Sequence, residues 1–142
     1  MSAESLLSRS ALPPSRQLSQ VYRPGLVMPL TPGDAKSLRG PYDDDEDRRD
    51  SQVEWLPLGE SVLFVFWIKG LLRMINAYMG AIIDEYETEW VEAASMGGVR
   101  DGVRAFREKW QVSDPEFLDV LAAIELLAEK ASRTGVSLVF VL

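Results

Sequence analysis

Ser61-Val62-Leu63-Phe64-Val65-Phe66-Trp67-Ile68 is the most apolar stretch of the chain, and an acid-rich run, Asp43 to Asp50, lies just upstream of it. Burial of such a segment is what drives the residues after position 53 to fold. Its density of β-branched and aromatic side chains suits a buried strand. It also reads as the first turns of a helix running on through Leu71-Leu72, because periodicity does not separate the two in a short all-apolar run. The final stretch, Val136-Ser137-Leu138-Val139-Phe140-Val141-Leu142, reads as strand as well. A lone strand needs a partner for its backbone groups. Ser61–Ile68 is the best candidate, which tips its reading toward strand. Val53-Glu54-Trp55-Leu56 reads as a further strand, joined to it through Pro57-Leu58-Gly59-Glu60.

Between these segments the pattern is helical. From Gly70 to about Ser95, Lys69, Arg73, Asn76, Gly80, Asp84 and Glu87 recur at spacings of three and four, with Leu72, Ile75, Met79, Ile82 and Ile83 on the other faces. Gly97-Gly98 is the expected end of this helix. A second helix carries Val99, Val103, Phe106 and Trp110 on one side and Arg100, Arg104 and Arg107 on another. The third opens at Ser113-Asp114-Pro115-Glu116, which combines capping-box residues with an early proline. Phe117, Leu121, Ile124 and Ala128 form its apolar stripe, and Gly135 stops it.

Residues 1–52 read as a flexible tail rich in Pro, Ser and Arg, with apolar residues appearing singly. Two segments have the look of docking peptides: Tyr22 and Pro24 within Gln20-Val21-Tyr22-Arg23-Pro24-Gly25-Leu26, and Pro41 and Tyr42 ahead of the acids Asp43 to Asp47. Extended Pro-containing segments lose little entropy on docking. Pro-Tyr followed by acids is similar to the tails of some viral matrix proteins, without their full Pro-Pro-x-Tyr pattern. Residues 5–33 hold no acid, which loosely fits an organelle transit peptide, but the prolines at 13, 14, 24, 29 and 32 oppose a presequence helix. The opening Met1-Ser2-Ala3-Glu4 lacks a secretory profile. An intracellular, cytoplasmic protein is expected, with organelle import the alternative.

Charge is unevenly spread. Residues 1–52 hold seven Lys and Arg against eight Asp and Glu; residues 53–142 hold eight against fourteen, so most of the net −7 lies in the second part. An acidic folded region repels phosphate backbones, so no nucleic-acid partner is expected. The chain has no Cys and no His. That excludes disulfides, thiolate metal sites, Cys nucleophiles and imidazole bases. Catalysis would fall to carboxylates, Lys, Tyr or a hard cation. Val62–Ile83 is long enough to span a bilayer, but Lys69, Arg73 and Asn76 sit in its middle, which argues against a simple transmembrane helix. Peripheral contact, with Lys69 and Arg73 at the head groups, stays open.

Two constellations have chemical potential. Arg100, Arg104 and Arg107 form a possible anion contact, or pair with the acids of Asp84 to Glu92. Glu89 with Glu92, and Glu116 with Asp119, would share helix faces and present oxygen ligands of the kind Mg²⁺ takes. Glu89-Trp90-Val91-Glu92, then Glu116-Phe117-Leu118-Asp119 opening a helix that continues Val120 to Lys130 ahead of Gly135-Val136-Ser137-Leu138, resembles the all-α NTP pyrophosphohydrolase superfamily. The resemblance implies a helical, usually oligomeric enzyme that cleaves nucleotides with Mg²⁺, with Glu89, Glu92, Glu116 and Asp119 as its metal ligands. A bulky Trp90 inside the first pair and the lack of a Lys-rich segment before it depart from that pattern.

The expected architecture is α+β and mainly helical: a flexible tail (1–52), then one domain (53–142) of about three helices with two or three short strands. Its core should join Val62, Phe64, Phe66, Leu72, Ile75, Phe106, Trp110, Leu121, Ile124 and Val139. The leading functional expectation is a non-enzymatic interaction or structural protein without a cofactor. It would assemble through an apolar face, as a homo-oligomer or as a subunit of a larger assembly, and recruit protein partners through its tail. The alternatives are the Mg²⁺-dependent pyrophosphohydrolase and a membrane-apposed, matrix-like or viral accessory protein.

Overall fold

The computed structural model describes residues 2–13, 17–39, 50–60, 62, 70–80 and 88–142. Among them the chain forms a five-stranded antiparallel sheet with helices. After a short 3₁₀ turn (Ala3–Leu6) come β1 (Ser8–Leu12), α1 (Leu18–Val21), β2 (Gly25–Pro29), α2 (Pro32–Arg39) and β3 (Ser51–Pro57). Then follow α3 (Leu71–Met79), β4 (Thr88–Val91), a second 3₁₀ turn (Ala93–Ser95), α4 (Met96–Trp110), α5 (Pro115–Thr134) and β5 (Leu138–Val141). The strands lie in the order β1-β3-β2-β5-β4. The α+β class is as expected, but the sheet has five strands rather than two or three.

The largest correction concerns residues 1–52. Far from being a loose tail throughout, they supply β1 and β2, and β2 lies at the middle of the sheet with all five residues buried. A central strand covered on both faces has no polar alternation, so Gly25-Leu26-Val27-Met28-Pro29 shows no period-two signal. The segment after it is latched by Asp34. Thr31 Oγ1 accepts from the Asp34 N–H at 3.1 Å and donates to Asp34 Oδ2 at 2.7 Å, while Asp34 Oδ1 accepts from the Gln52 N–H of β3 at 3.1 Å. The Thr31 hydroxyl thus caps α2, and the buried carboxylate that holds it also satisfies a strand donor.

β5 forms as expected, but its partners are β2 (Val27↔Val139) and β4 (Trp90↔Val139). The partner foreseen for it, Ser61–Ile68, lies outside the described residues apart from Val62, as do Phe64 and Phe66. Two apolar clusters sandwich the sheet. Leu26, Met28, Leu56, Leu138 and Phe140 pack with Ile75, Phe106, Leu121, Ile124 and Leu127 of α3 to α5. On the opposite face Val27, Val53, Val139 and Val141 pack with Leu12, Tyr22 and Leu38. Of the expected core, Val62, Leu72, Ile75, Phe106, Leu121, Ile124 and Val139 are buried. Trp110 is not: it ends α4 and is 41 % exposed.

Two helix boundaries also differ. The helix expected over residues 70–95 ends at Gly80, whose φ of 68° caps α3, and Thr88–Val91 is a strand because β5 offers it a ladder. Gly97 and Gly98 do not terminate a helix but lie inside α4. Gly98 faces α3 so closely that a Cβ there would lie 2.8 Å from the Tyr78 carbonyl oxygen; at Gly102 it would lie 2.6 Å from Ile75 Cα. Gly98-Val99-Arg100-Asp101-Gly102 is therefore a small-residue contact that lets two backbones approach.

The last helix follows the expected signals, with Asp114 rather than Ser113 as its cap. Asp114 Oδ1 accepts from the N–H of Glu116 at 2.9 Å and of Phe117 at 3.2 Å, and Gly135 (φ 74°) ends the helix. Asp114→Ala should cost about 1 kcal/mol, read as a lower urea midpoint at unchanged slope.

Candidate interaction surface

Several of the described charged residues hold separate elements of the fold together. Glu54 of β3 points into the helical layer and is only 4 % exposed. Lys130 Nζ of α5 donates to its Oε1 at 2.7 Å, and Arg9 Nε of β1 donates to its Oε2 at 3.2 Å. A single buried carboxylate thus ties the edge strand and the longest described helix to β3.

The arginine stripe closes on the same molecule. Arg104 and Arg107 both reach Glu125 Oε1 of α5, at 3.3 and 2.8 Å. Among the described residues Glu125 is their partner; of the acid cluster proposed from spacing, the members at 84, 85 and 87 lie outside the described residues. Arg100 makes no ion pair with any described residue.

The four carboxylates implied by the family resemblance are not arranged as that resemblance requires. Glu89 lies on β4 opposite Phe140, and Glu92 follows the strand, so the two share no helix face. Glu92 Oε1 takes a bond from Arg39 Nη2 at 3.0 Å, and the Arg39 guanidinium stacks over the Trp90 ring at 4.4 Å. The Ser137 hydroxyl accepts from Arg39 at 3.1 Å and donates to Glu92 Oε2 at 3.4 Å. Glu116 and Asp119 open α5. Among the described residues no three Asp or Glu side chains gather into a set that could hold a metal ion.

Tyr22 is not an exposed docking residue either. It is 1 % exposed, its hydroxyl shares a hydrogen bond with Ser10 Oγ, and its ring meets Trp55 edge-on at 5.2 Å. Trp55 lies against Gly25, where a Cβ would collide with the indole nitrogen. That N–H is buried without a partner among the described residues. Pro24, half-buried, follows a cis bond from Arg23. Pro41 and Tyr42 lie outside the described residues.

What remains open is the rim of the sheet. β1 is an edge strand, bonded to β3 along Ser8↔Trp55 to Leu12↔Ser51. Among the described residues nothing hydrogen-bonds to its outer side. Ser8, Arg9 and Ala11 are exposed, Ser10 is half-buried and Leu12 is buried. β4 is the opposite edge, with Glu89 in the strand and Glu92 directly after it. The large apolar side chains left exposed among the described residues, Val21, Tyr78 and Trp110, stand on three different helices.

An edge strand is a template for another strand, and proteins usually guard it with Lys, Pro, an inward charge or a bulge. Ser8-Arg9-Ser10-Ala11-Leu12 has one charge, and Glu54 neutralises it. Sequence reading missed this strand because its alternation is carried by serine and alanine. The one legible sign was that the stretch before Pro13-Pro14, residues 1–12, is free of Pro and Gly. No described helix is long and apolar enough to cross a membrane. Compared with protein-family models, with curated proteins and with solved structures, the chain shows no significant match.

Proposed function

We propose that this chain is a non-enzymatic assembly protein that joins protein subunits by strand addition at the open edge of its sheet. The observation that supports this reading is the outer side of β1, a five-residue strand whose outward-facing backbone donors and acceptors, on alternate residues, are bonded by no described residue. Main-chain hydrogen bonds would supply the affinity in such a contact, and the alternating side chains its register. The N-terminal region keeps the recruiting role first expected of it, but as a folded strand rather than a loose peptide.

The test is mass against concentration by sedimentation equilibrium. The native chain should gain mass as concentration rises. Ala11→Lys, which puts a gatekeeping charge on an exposed edge position, should hold the chain at monomer mass with an unchanged melting temperature. Monomer mass for the native chain at every concentration would overturn the reading.

A further inference from the structure

Given that reading, which this inference rests on, we infer that the strand added to β1 is the β1 of a second copy, paired antiparallel about Ser10. Three observations on the chain favour a copy of itself at this edge.

The first is register. Centring the pair on Ser10 sets Ser8 opposite Leu12 and Arg9 opposite Ala11, so no charge faces its own image. Moving the centre to Arg9 would set two guanidinium groups directly opposite, which is destabilising. Like-charge repulsion thus favours the Ser10-centred alignment over the Arg9-centred one, and the favoured alignment is a two-fold contact of a single surface patch with itself.

The second is charge. Two copies of a chain with net charge −7 repel, so they meet most easily where acids are fewest. Residues 5–33 contain three arginines and no Asp or Glu. β1 lies in that stretch, and its Arg9 is already paired with Glu54. The other edge fails this criterion, because two copies of β4 would bring Glu89 and Glu92 together.

The third is shape. Serine and alanine hold most of the rim, and Arg9 leans along the face toward Glu54, so nothing bulky separates two approaching backbones. Pairing would continue the ladder outward from β3 and β1 into a sheet running through both copies.

Because the chain has no cysteine, one introduced thiol reports on this contact alone. Ser10→Cys places two thiols opposite each other across the two-fold, at the separation of a cross-strand pair. Under mild oxidation it should form a disulfide dimer roughly tenfold or more faster than Ser132→Cys, an exposed position on α5, because the pair raises the effective thiol concentration. Adding Ala11→Lys to Ser10→Cys should slow the reaction to the Ser132→Cys rate. Equal rates for Ser10→Cys and Ser132→Cys, in a native chain that still gains mass with concentration, would overturn self-pairing at β1 while leaving assembly standing. Equal rates in a chain that stays monomeric would overturn both. Should Ser10→Cys disturb the Tyr22 contact and lower the melting temperature, the same comparison is made with an equimolar mixture of Arg9→Cys and Ala11→Cys chains, which face each other in this register.

Discussion

Gly102→Ala should lower the stability of the chain by about 3 kcal/mol, the upper part of the range for overpacking a close contact. The added Cβ would lie 2.6 Å from Ile75 Cα and 3.2 Å from Ile75 Cγ1, and Ile75 is completely buried beneath α4. Relief requires α3 and α4 to separate, which would loosen Phe106, Val103 and Leu71 together. Gly97, five positions earlier on the same helix, supplies the internal control. A Cβ there meets nothing within 4 Å. Gly97→Ala should raise stability by about 0.5 kcal/mol, since alanine loses less backbone entropy in a helix. Urea titrations of the two variants, with midpoints moving in opposite directions, check the argument. A Gly102→Ala midpoint equal to that of the native chain would show that the α3–α4 approach is not as close as described.

Lys130→Met should cost about 3 kcal/mol, because it strips a buried carboxylate of its nearest cation. Glu54 has 5 % of its side chain exposed, and the remaining partner, Arg9, is 73 % exposed. Arg9→Met leaves the short Lys130 contact in place and should cost under 1 kcal/mol, as expected for an exposed pair. The decisive comparison is the double variant Lys130→Met with Glu54→Leu. Replacing both partners by apolar groups removes the stranded charge and should recover most of the loss. Thermal melts of the three variants test this. A double variant no more stable than Lys130→Met would mean that the cost lies in packing of the lysine stem rather than in the charge of Glu54.

These two sites differ in how they stand in the sequence. Gly98 and Gly102 were visible as residues, yet a glycine pair near a helix boundary reads most simply as a stop. Only the presence of α3 against that face turns the pair into a contact. Glu54 was placed correctly in a strand, but a carboxylate in an alternating strand is expected to face water. It faces the helices because β1 and α5 bring Arg9 and Lys130 to it from sequence distances of 45 and 76 residues.

The acids at 89, 92, 116 and 119 show the converse. Their spacing matched a helical metal motif, but Thr88–Val91 pairs with β5, and a strand rotates Glu89 and Glu92 away from the geometry that spacing suggested. Period-three spacing carries meaning only where the backbone is helical, and a short segment of Thr, Glu, Trp and Val adopts whichever state its neighbours can pair.

Local chemistry by itself settled the α+β class, the strands at Val53–Leu56 and at the chain's last residues, and the course of α5 from its Asp114 cap to Gly135. Each of these rests on interactions within a few residues, which the sequence contains in full. The folding of residues 8–12 and 25–29 into the sheet, the strand at 88–91, the buried Glu54 network and the place of β1 at the sheet's edge were decided by tertiary structure. Each depends on backbone groups and charges tens of residues away, and no local pattern encodes which distant segment will arrive to satisfy them.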